Sequence, residues 1–322
     1  MKASIAAALP RVRRTTGRIL ASVVTYALLI GLSFVFLYPF LYMLVTACKS
    51  SADLTDIAVK WLPNGIEWAN FSLAFSALTY PTRLVNTVLV TVLSVLGHLL
   101  VSSFVGYGFA RFSFRFKGLW TALLILAIVI PTETLIVPIY ILFSRIGFLG
   151  SYLPIVVPCY LGFGLRGALF IFVFRQLFLS LPKALEEAAA LDGCGSLRTF
   201  FYIALPNARS STLICCVLGV VWHWNDTFEP SIYLNDPNRF LLPQMLPQLY
   251  ASIGEAPIGG LAESLPQYNE AVAMAATALV ILPLIVFAVI VGFGVQMQGG
   301  ANTMTAKLLE DMTGCILKAV QI

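Results

Sequence analysis

The chain has 322 residues, of which 59% are hydrophobic and only 11% charged, with a net charge of +5. Soluble domains carry about 25% charged residues, so this chain is built to face lipid or to pack within a bilayer, in line with a mean hydropathy of +0.89. The basic excess does not point to nucleic acid: Lys and Arg cluster at the ends of apolar runs without interleaved aromatics, as membrane topology requires.

Six apolar segments are each long enough for a hydrocarbon core, which takes about 20 helical residues. They cover about residues 19–46, 84–109, 119–143, 152–174, 212–233 and 271–295. The predicted fold is therefore all-α, a polytopic membrane protein with six transmembrane helices. The first segment ends in Val45-Thr46-Ala47-Cys48, which looks like a lipoprotein cleavage box. A signal h-region is only about 7–15 residues, so the run reads as a spanning helix. Pro131 and Pro138 interrupt the third segment, Pro154 and Pro158 lie early in the fourth, and Pro283 lies in the sixth. Neighbouring helices re-satisfy the backbone groups that prolines free, so each segment is expected to remain one span.

Short loops set the orientation. Lys2, Arg11, Arg13, Arg14, Arg18, Arg111, Arg115, Lys117, Arg175, Lys183, Arg198, Arg209, Lys307 and Lys318 fall on one side. Lys49, Lys60, Arg83, Arg145 and Arg239 fall on the other. The positive-inside rule then predicts both termini in the cytoplasm. Residues 49–83 and 234–270 become capping loops on the outer face.

The six cysteines form no CxxC pair and have no cluster of histidines near them in the sequence. No disulfide or metal site is expected, and the thiols read as small packing groups. His98 stands alone on an apolar helix and reads as a packing or hydrogen-bonding group. His223 lies among tryptophans and is ambiguous.

The fourth-to-fifth loop carries the functional signal. Residues 182–192 have Pro182 in the first turn, Glu186 and Glu187 in the N-terminal half, an Ala- and Leu-rich body, and Gly193 at the stop. These features predict a short cytoplasmic helix. A membrane-surface connector would carry large apolar anchors and many cations. Ala188 and Ala189 instead offer a face without bulk, suited to a closely docked partner.

The same residues match the EAA signature of ABC importer permeases. Glu187, Ala188, Ala189, Gly193, Ile203, Leu205 and Pro206 occupy its positions without a gap, and Asp192 precedes the glycine. Tyr107-Gly108-Phe109-Ala110-Arg111, Ile130-Pro131, Pro138 with Tyr140, Gly147 with Leu149, Arg175-Gln176 and Trp224-Asn225-Asp226 also resemble the carbohydrate-importing branch, in particular the smaller, maltose-type permease. This resemblance covers about residues 33–295 and weakens in the tail, where Gln296-Met297-Gln298-Gly299-Gly300 replaces an aromatic and basic stretch.

The resemblance implies the fold of a type I ABC importer permease. Residues 1–80 hold the N-terminal tail, first helix and outer loop; residues 81–297 form the transmembrane domain; residues 298–322 form a cytoplasmic tail. It implies a multi-pass subunit of a prokaryotic plasma membrane, in contact with lipid and with no nucleic-acid partner. A second, larger permease, two cytoplasmic ATPase subunits and an extracytoplasmic solute-binding protein would complete the importer. ATP and Mg would act on the ATPases. No Gly-x4-Gly-Lys-Ser/Thr loop exists here to cradle phosphates, so this chain is expected to bind no cofactor and to catalyse nothing.

Ionisable groups inside a membrane usually face the bundle interior. Glu133 and Arg166 either pair with each other or line a polar cavity. Trp224, Asn225 and Asp226, with Trp222, either offer a sugar a stacking face and hydrogen bonds or form an interfacial aromatic belt. Two other classes compete. An ion-coupled carrier would use Glu133, Arg166 and Asp226 as a relay but leaves the EAA loop without a purpose. An intramembrane enzyme lacks a His-Glu-x-x-His zinc motif, and only His98 and His223 are available for acid–base work.

Overall fold

The computed structural model describes residues 2–57, 59, 61–253 and 269–297, without the side chains of residues 2–21, 210 and 295–297. Gly299, Gly300 and the tail carrying Lys307 and Lys318 lie outside the described residues, as do Lys60 and most of the second half of the 234–270 loop. Helices are α1 Lys2–Ala47, α2 Ser51–Thr55, α3 Ala69–Ala77, α4 Tyr80–Arg111, α5 Lys117–Val129, α6 Ile136–Arg145, α7 Leu153–Tyr160 and α8 Gly167–Ser180. They continue with α9 Ala184–Leu191, α10 Ser196–Thr199, α11 Leu205–Asn207, α12 Arg209–Asn225, α13 Phe228–Tyr233, α14 Met245–Ala251 and α15 Glu270–Met297. The fold is all-α.

Three helices are long and apolar enough to cross a membrane, within α1, α4 and α15. Bent helix pairs bring the total to six if each pair is one span. The chain folds as two compact units, one of residues 1–74 and 252–278, the other of residues 75–251 and 279–322.

In the first unit, α1 leaves its apolar surface bare, with Ile30 and Phe36 exposed at 69% and 72%. Side chains of this kind are at home only against lipid or another apolar protein surface. At its end, Asn70 donates through Nδ2 to the carbonyls of Ala47 and Lys49 at 2.9 and 2.8 Å. Ser50 and Asp53 form a reciprocal capping box on α2, and Asn64 donates to Asp53 Oδ1 at 2.8 Å. These side chains satisfy the backbone groups that a helix terminus leaves open.

The second unit is organised on α4. Its small residues allow close helix approach, the packing mode available where lipid removes the hydrophobic drive. A Cβ on Gly106 would stand 2.7 Å from Phe174 Cβ and 2.9 Å from the Arg175 backbone nitrogen, so only glycine fits against α8. Below that contact, Tyr107, Phe174, Phe178 and Phe200 form a buried aromatic core. Their edge-to-face and tilted pairings, such as Tyr107–Phe178 at 5.3 Å and Tyr107–Phe200 at 5.2 Å, suit the ring quadrupoles. At the other end of α4, Thr87 Oγ1 accepts from the Leu242 backbone N–H at 2.8 Å. Arg83 donates to the Pro237 carbonyl. The segment following α13 is thereby fastened to the start of α4.

The expectation of unbroken third and fourth spans is corrected. Pro131 cannot donate to a helix and biases Ile130 towards extended backbone; Ile130 indeed has ψ 122°. A turn of 3₁₀ helix over Thr132–Leu135 follows, and the two arms diverge by 97°. In the fourth segment, α7 stops at Tyr160 and α8 starts at Gly167. Between them Gly164 has φ +106°, a conformation open essentially to glycine. Arg166 has φ +59°, a left-handed backbone that costs a non-glycine residue about 1–2 kcal/mol.

Candidate functional site

The loop helix α9 runs over Ala184–Leu191, two residues inside the predicted start. Lys183 accepts through its carbonyl from Glu186 and Glu187 N–H at 2.9 and 3.0 Å. At the far end the Gly193 N–H donates to Ala190 and the Cys194 N–H to Ala189, at 3.1 and 2.9 Å. That is a Schellman ending, and it requires the left-handed φ of +78° that Gly193 supplies.

One face of α9 is open. Glu187 and Ala188 are exposed, as are Asp192 and Gly193, and Leu191 is 90% exposed. Leu185 adds 42% and Leu197, just beyond, 62%. The predicted contact pair of Ala188 and Ala189 is corrected: Ala189 is 3% exposed and faces its own chain. Residues at i and i+1 lie about 100° apart on a helix, so both alanines cannot serve one flat docking face. Leu191, at i+3 from Ala188, shares that face.

A residue pair that the sequence reasoning did not single out as a site holds α9 to α4. Arg111 Nε meets Glu186 Oε1 at 2.7 Å, with side chains only 6% and 21% exposed. Arg111 Nη2 also donates to the Leu181 carbonyl at 2.8 Å. One guanidinium thus ties the last turn of α4 to both the approach and the first turn of α9. The i, i+3 relation of Glu186 to Ala189, both turned inward, was the available signal.

Beyond α9 the chain passes through a π-helical turn at Phe200–Ala204 into α11. Pro206 lacks an N–H, which favours departure from the regular ladder. Ile203 and Leu205 are half-buried and Pro206 is exposed. Asn207 Nδ2 donates to the Ile203 carbonyl at 2.7 Å. These motif positions shape the turn from α10 into α12, with a bend of 75°.

The two broken spans meet at a cleft of about 360 Å³. Its walls include Pro131, Thr132 and Glu133 from one break and Gly162, Gly164 and Arg166 from the other. Glu133 and Arg166 therefore share a cavity, and no ion pair joins them. The Arg166 guanidinium lies instead over the Trp222 ring, 4.8 Å from its centroid, as a cation–π contact. Asp226 Oδ1 accepts from the Phe228 and Glu229 backbone N–H groups at 3.0 and 3.3 Å. Its Oδ2 is buried without a partner. Glu229, three residues on, lines a small pocket with Thr132, Gly164 and Tyr233. Glu229 was absent from the sequence reading; its spacing from Asp226 was the signal.

Trp224 is corrected as a pathway residue. It is 5% exposed, and its indole Nε1 donates to the Val280 carbonyl at 3.1 Å. It thus belongs neither to the cleft nor to an exposed belt, and Trp222 is the ring that meets Arg166. Asn225 is exposed and folds back, donating to the Val221 carbonyl at 2.9 Å.

Known proteins of this design exist. The family model described as binding-protein-dependent transport system inner membrane component matches residues 98–296. The chain is 28% identical to a probable starch degradation products transport system permease protein of Thermoanaerobacterium thermosulfurigenes, over 80% of this chain and 88% of that one. It is 27% identical to an arabinooligosaccharides transport system permease protein of Halalkalibacterium halodurans, over 85% and 92%. A lactose transport system permease protein of Rhizobium radiobacter shares 28% over 78% and 91%. The fold is similar to that of a chain in the crystal structure of a bacterial ABC transporter involved in the import of alginate. That match has a TM-score of 0.71 at 21% identity, covering 84% of this chain and 95% of the other. With a family model spanning more than half of its length, the chain belongs to the binding-protein-dependent transport system inner membrane components, as a multi-pass membrane permease subunit.

Proposed function

We propose that this chain forms half of the translocation pathway of an ATP-driven importer of sugars or oligosaccharides, and that α9 couples it to an ATPase. The observation that carries the coupling is an open apolar face on a tethered helix. A surface leucine 90% exposed beside an alanine, on a helix fixed by a buried ion pair, suits a groove on a soluble partner. Isolated exposed leucines are ordinary; a rigid presentation at an EAA loop is not. The chain's lack of a phosphate-binding loop leaves hydrolysis of ATP with Mg to two separate ATPase subunits. A larger permease would complete the pathway, and a solute-binding protein would deliver solute on the outer side.

Relatives named for starch products, arabinooligosaccharides and lactose support a carbohydrate as solute. The cleft chemistry agrees: the Glu133 carboxylate and the Arg166 guanidinium line it and offer an acceptor and donors for hydroxyl groups, and the Trp222 ring lies against Arg166. Thr132, Glu133 and Arg166 are its polar members, and we place Asp226 on the same pathway outside that lining. Both termini would lie in the cytoplasm, where α9 can meet the ATPase.

Uptake of a labelled oligosaccharide panel by cells lacking the chain, with and without restored expression, tests this reading. Restored uptake of one sugar class, abolished by Glu187→Lys at normal membrane abundance, supports it. Uptake that persists without ATP would contradict it.

A further inference from the structure

We propose that His98, Cys159 and His223 form a buried three-coordinate site for a soft monovalent cation, copper(I). Separated widely in sequence, these residues meet because α4, α7 and α12 converge. Their ligand atoms all lie within 4.8 Å of one another, with Cys159 Sγ 4.0 Å from His223 Nε2. His98 packs on Phe170, as its reading as a packing group expects, but it is not alone: His223 and Cys159 converge on it from distant parts of the sequence.

The cluster is built as a site in three respects. First, its members are 1%, 0% and 4% exposed, so water does not satisfy them. Second, both ring nitrogens of His98 lack a hydrogen-bond partner. A buried imidazole left so is costly, and coordination through one ring nitrogen would remove part of that cost. Third, the rings are held from behind: His98 packs on Phe170 at 4.8 Å and on His223 at 5.3 Å between centroids. Cys159 Sγ is anchored towards the Ile155 carbonyl at 3.2 Å.

Charge and ligand count select the ion. Among the described residues no further His, Cys, Asp or Glu joins the group, so a tetrahedral zinc centre lacks its fourth side chain. Thiolate and imidazole together suit copper(I) and zinc. A copper(I) ion with one thiolate and two neutral imidazoles is uncharged overall. A zinc ion would leave a net positive charge in an apolar interior, where charge is expensive. Metal–nitrogen and metal–sulfur bonds of about 2.0 and 2.3 Å place ligand atoms about 3.5 Å apart, so closure requires a movement of about 1 Å. The thiol would give up its proton on binding.

The cleft approaches the cluster. Gly164 and Gly167 line the cleft between the broken spans. A Cβ on Gly164 would lie 3.1 Å from Cys159 Sγ, and one on Gly167 would lie 3.4 Å from His98 Cε1. The glycine backbone of the cleft wall therefore lies directly against the ligands. The site does not depend on the transport reading.

The test is titration of the purified full chain in lipid nanodiscs with copper(I), buffered by a chromophoric chelator under reducing conditions, followed by X-ray absorption of the loaded protein. One copper per chain with one sulfur and two nitrogen neighbours is expected. Cys159→Ala should weaken binding by more than about 100-fold, beyond the loss seen for outer-sphere changes, while Cys194→Ser and Cys48→Ser should not. No retained copper, or retention unchanged by Cys159→Ala, would overturn the site. So would a coordination shell of several sulfurs in the unaltered chain, a result that holds even if Cys159→Ala fails to fold.

Discussion

Arg111 carries two duties at once, holding both the approach and the first turn of α9. Its guanidinium serves Glu186 and the Leu181 carbonyl together. Removing one partner of a largely buried ion pair leaves the other charge uncompensated, at a cost of about 3 kcal/mol or more. Arg111→Ala should therefore loosen α9 and uncouple uptake, with membrane insertion retained. Hydrogen exchange of residues 184–194 checks the loosening; unchanged protection would refute it. Gly193 is the second such residue. Gly193→Val should cost about 1–2 kcal/mol at its left-handed backbone, whereas Gly193→Asn should be tolerated. Uptake assays on both variants at matched abundance test the ranking. Arg166 behaves in the opposite sense. Arg166→Gly should relieve strain of about 1 kcal/mol, and thermal stability should not fall, while loss of the cation lowers uptake. Reduced thermal stability would show that its contact with Trp222 outweighs the strain.

At the scale of the element, α9 separates into an inner and an outer side with different consequences. Leu191→Arg lies on the outer side, so stability should change by less than about 0.5 kcal/mol, yet retention of the ATPase should be lost. Ala189→Leu lies on the inner side and should overpack the chain's own contacts, by about 1–3 kcal/mol. Melting temperature and pull-down measured on both variants distinguish the two sides. The sequence made the existence of α9 legible, because Pro182, the alanines and Gly193 are local signals. Its sidedness was not legible, since Ala188 and Ala189 are identical in composition and differ only in what lies opposite. The broken spans were half legible. Pro131 announces one break, but the left-handed Arg166 in the other has no signature in residue type. Trp222 and Trp224 likewise look equivalent in the sequence; the helix turns one towards Arg166 and the other towards the Val280 carbonyl.

For the whole molecule, α4 is the central packed helix, held against α8 and tied to α9. That helix ends in Arg111 beside α9 and contributes Gly106 and Tyr107 to the aromatic core beside α8. Hydropathy was sufficient to read a polytopic, all-α membrane plan, since lipid imposes its demands on composition; three helices meet the length outright and bent pairs bring the total to at most six. Long-range convergences such as His98, Cys159 and His223 were invisible, because helix packing alone brings them together. The most direct test of the central claim is affinity purification of the tagged chain from its native membrane, with wild type and Leu191→Arg in parallel. The account predicts a larger permease with both forms and an ATPase with wild type only. Equal recovery of the ATPase with Leu191→Arg would contradict the assignment of α9 as the coupling element.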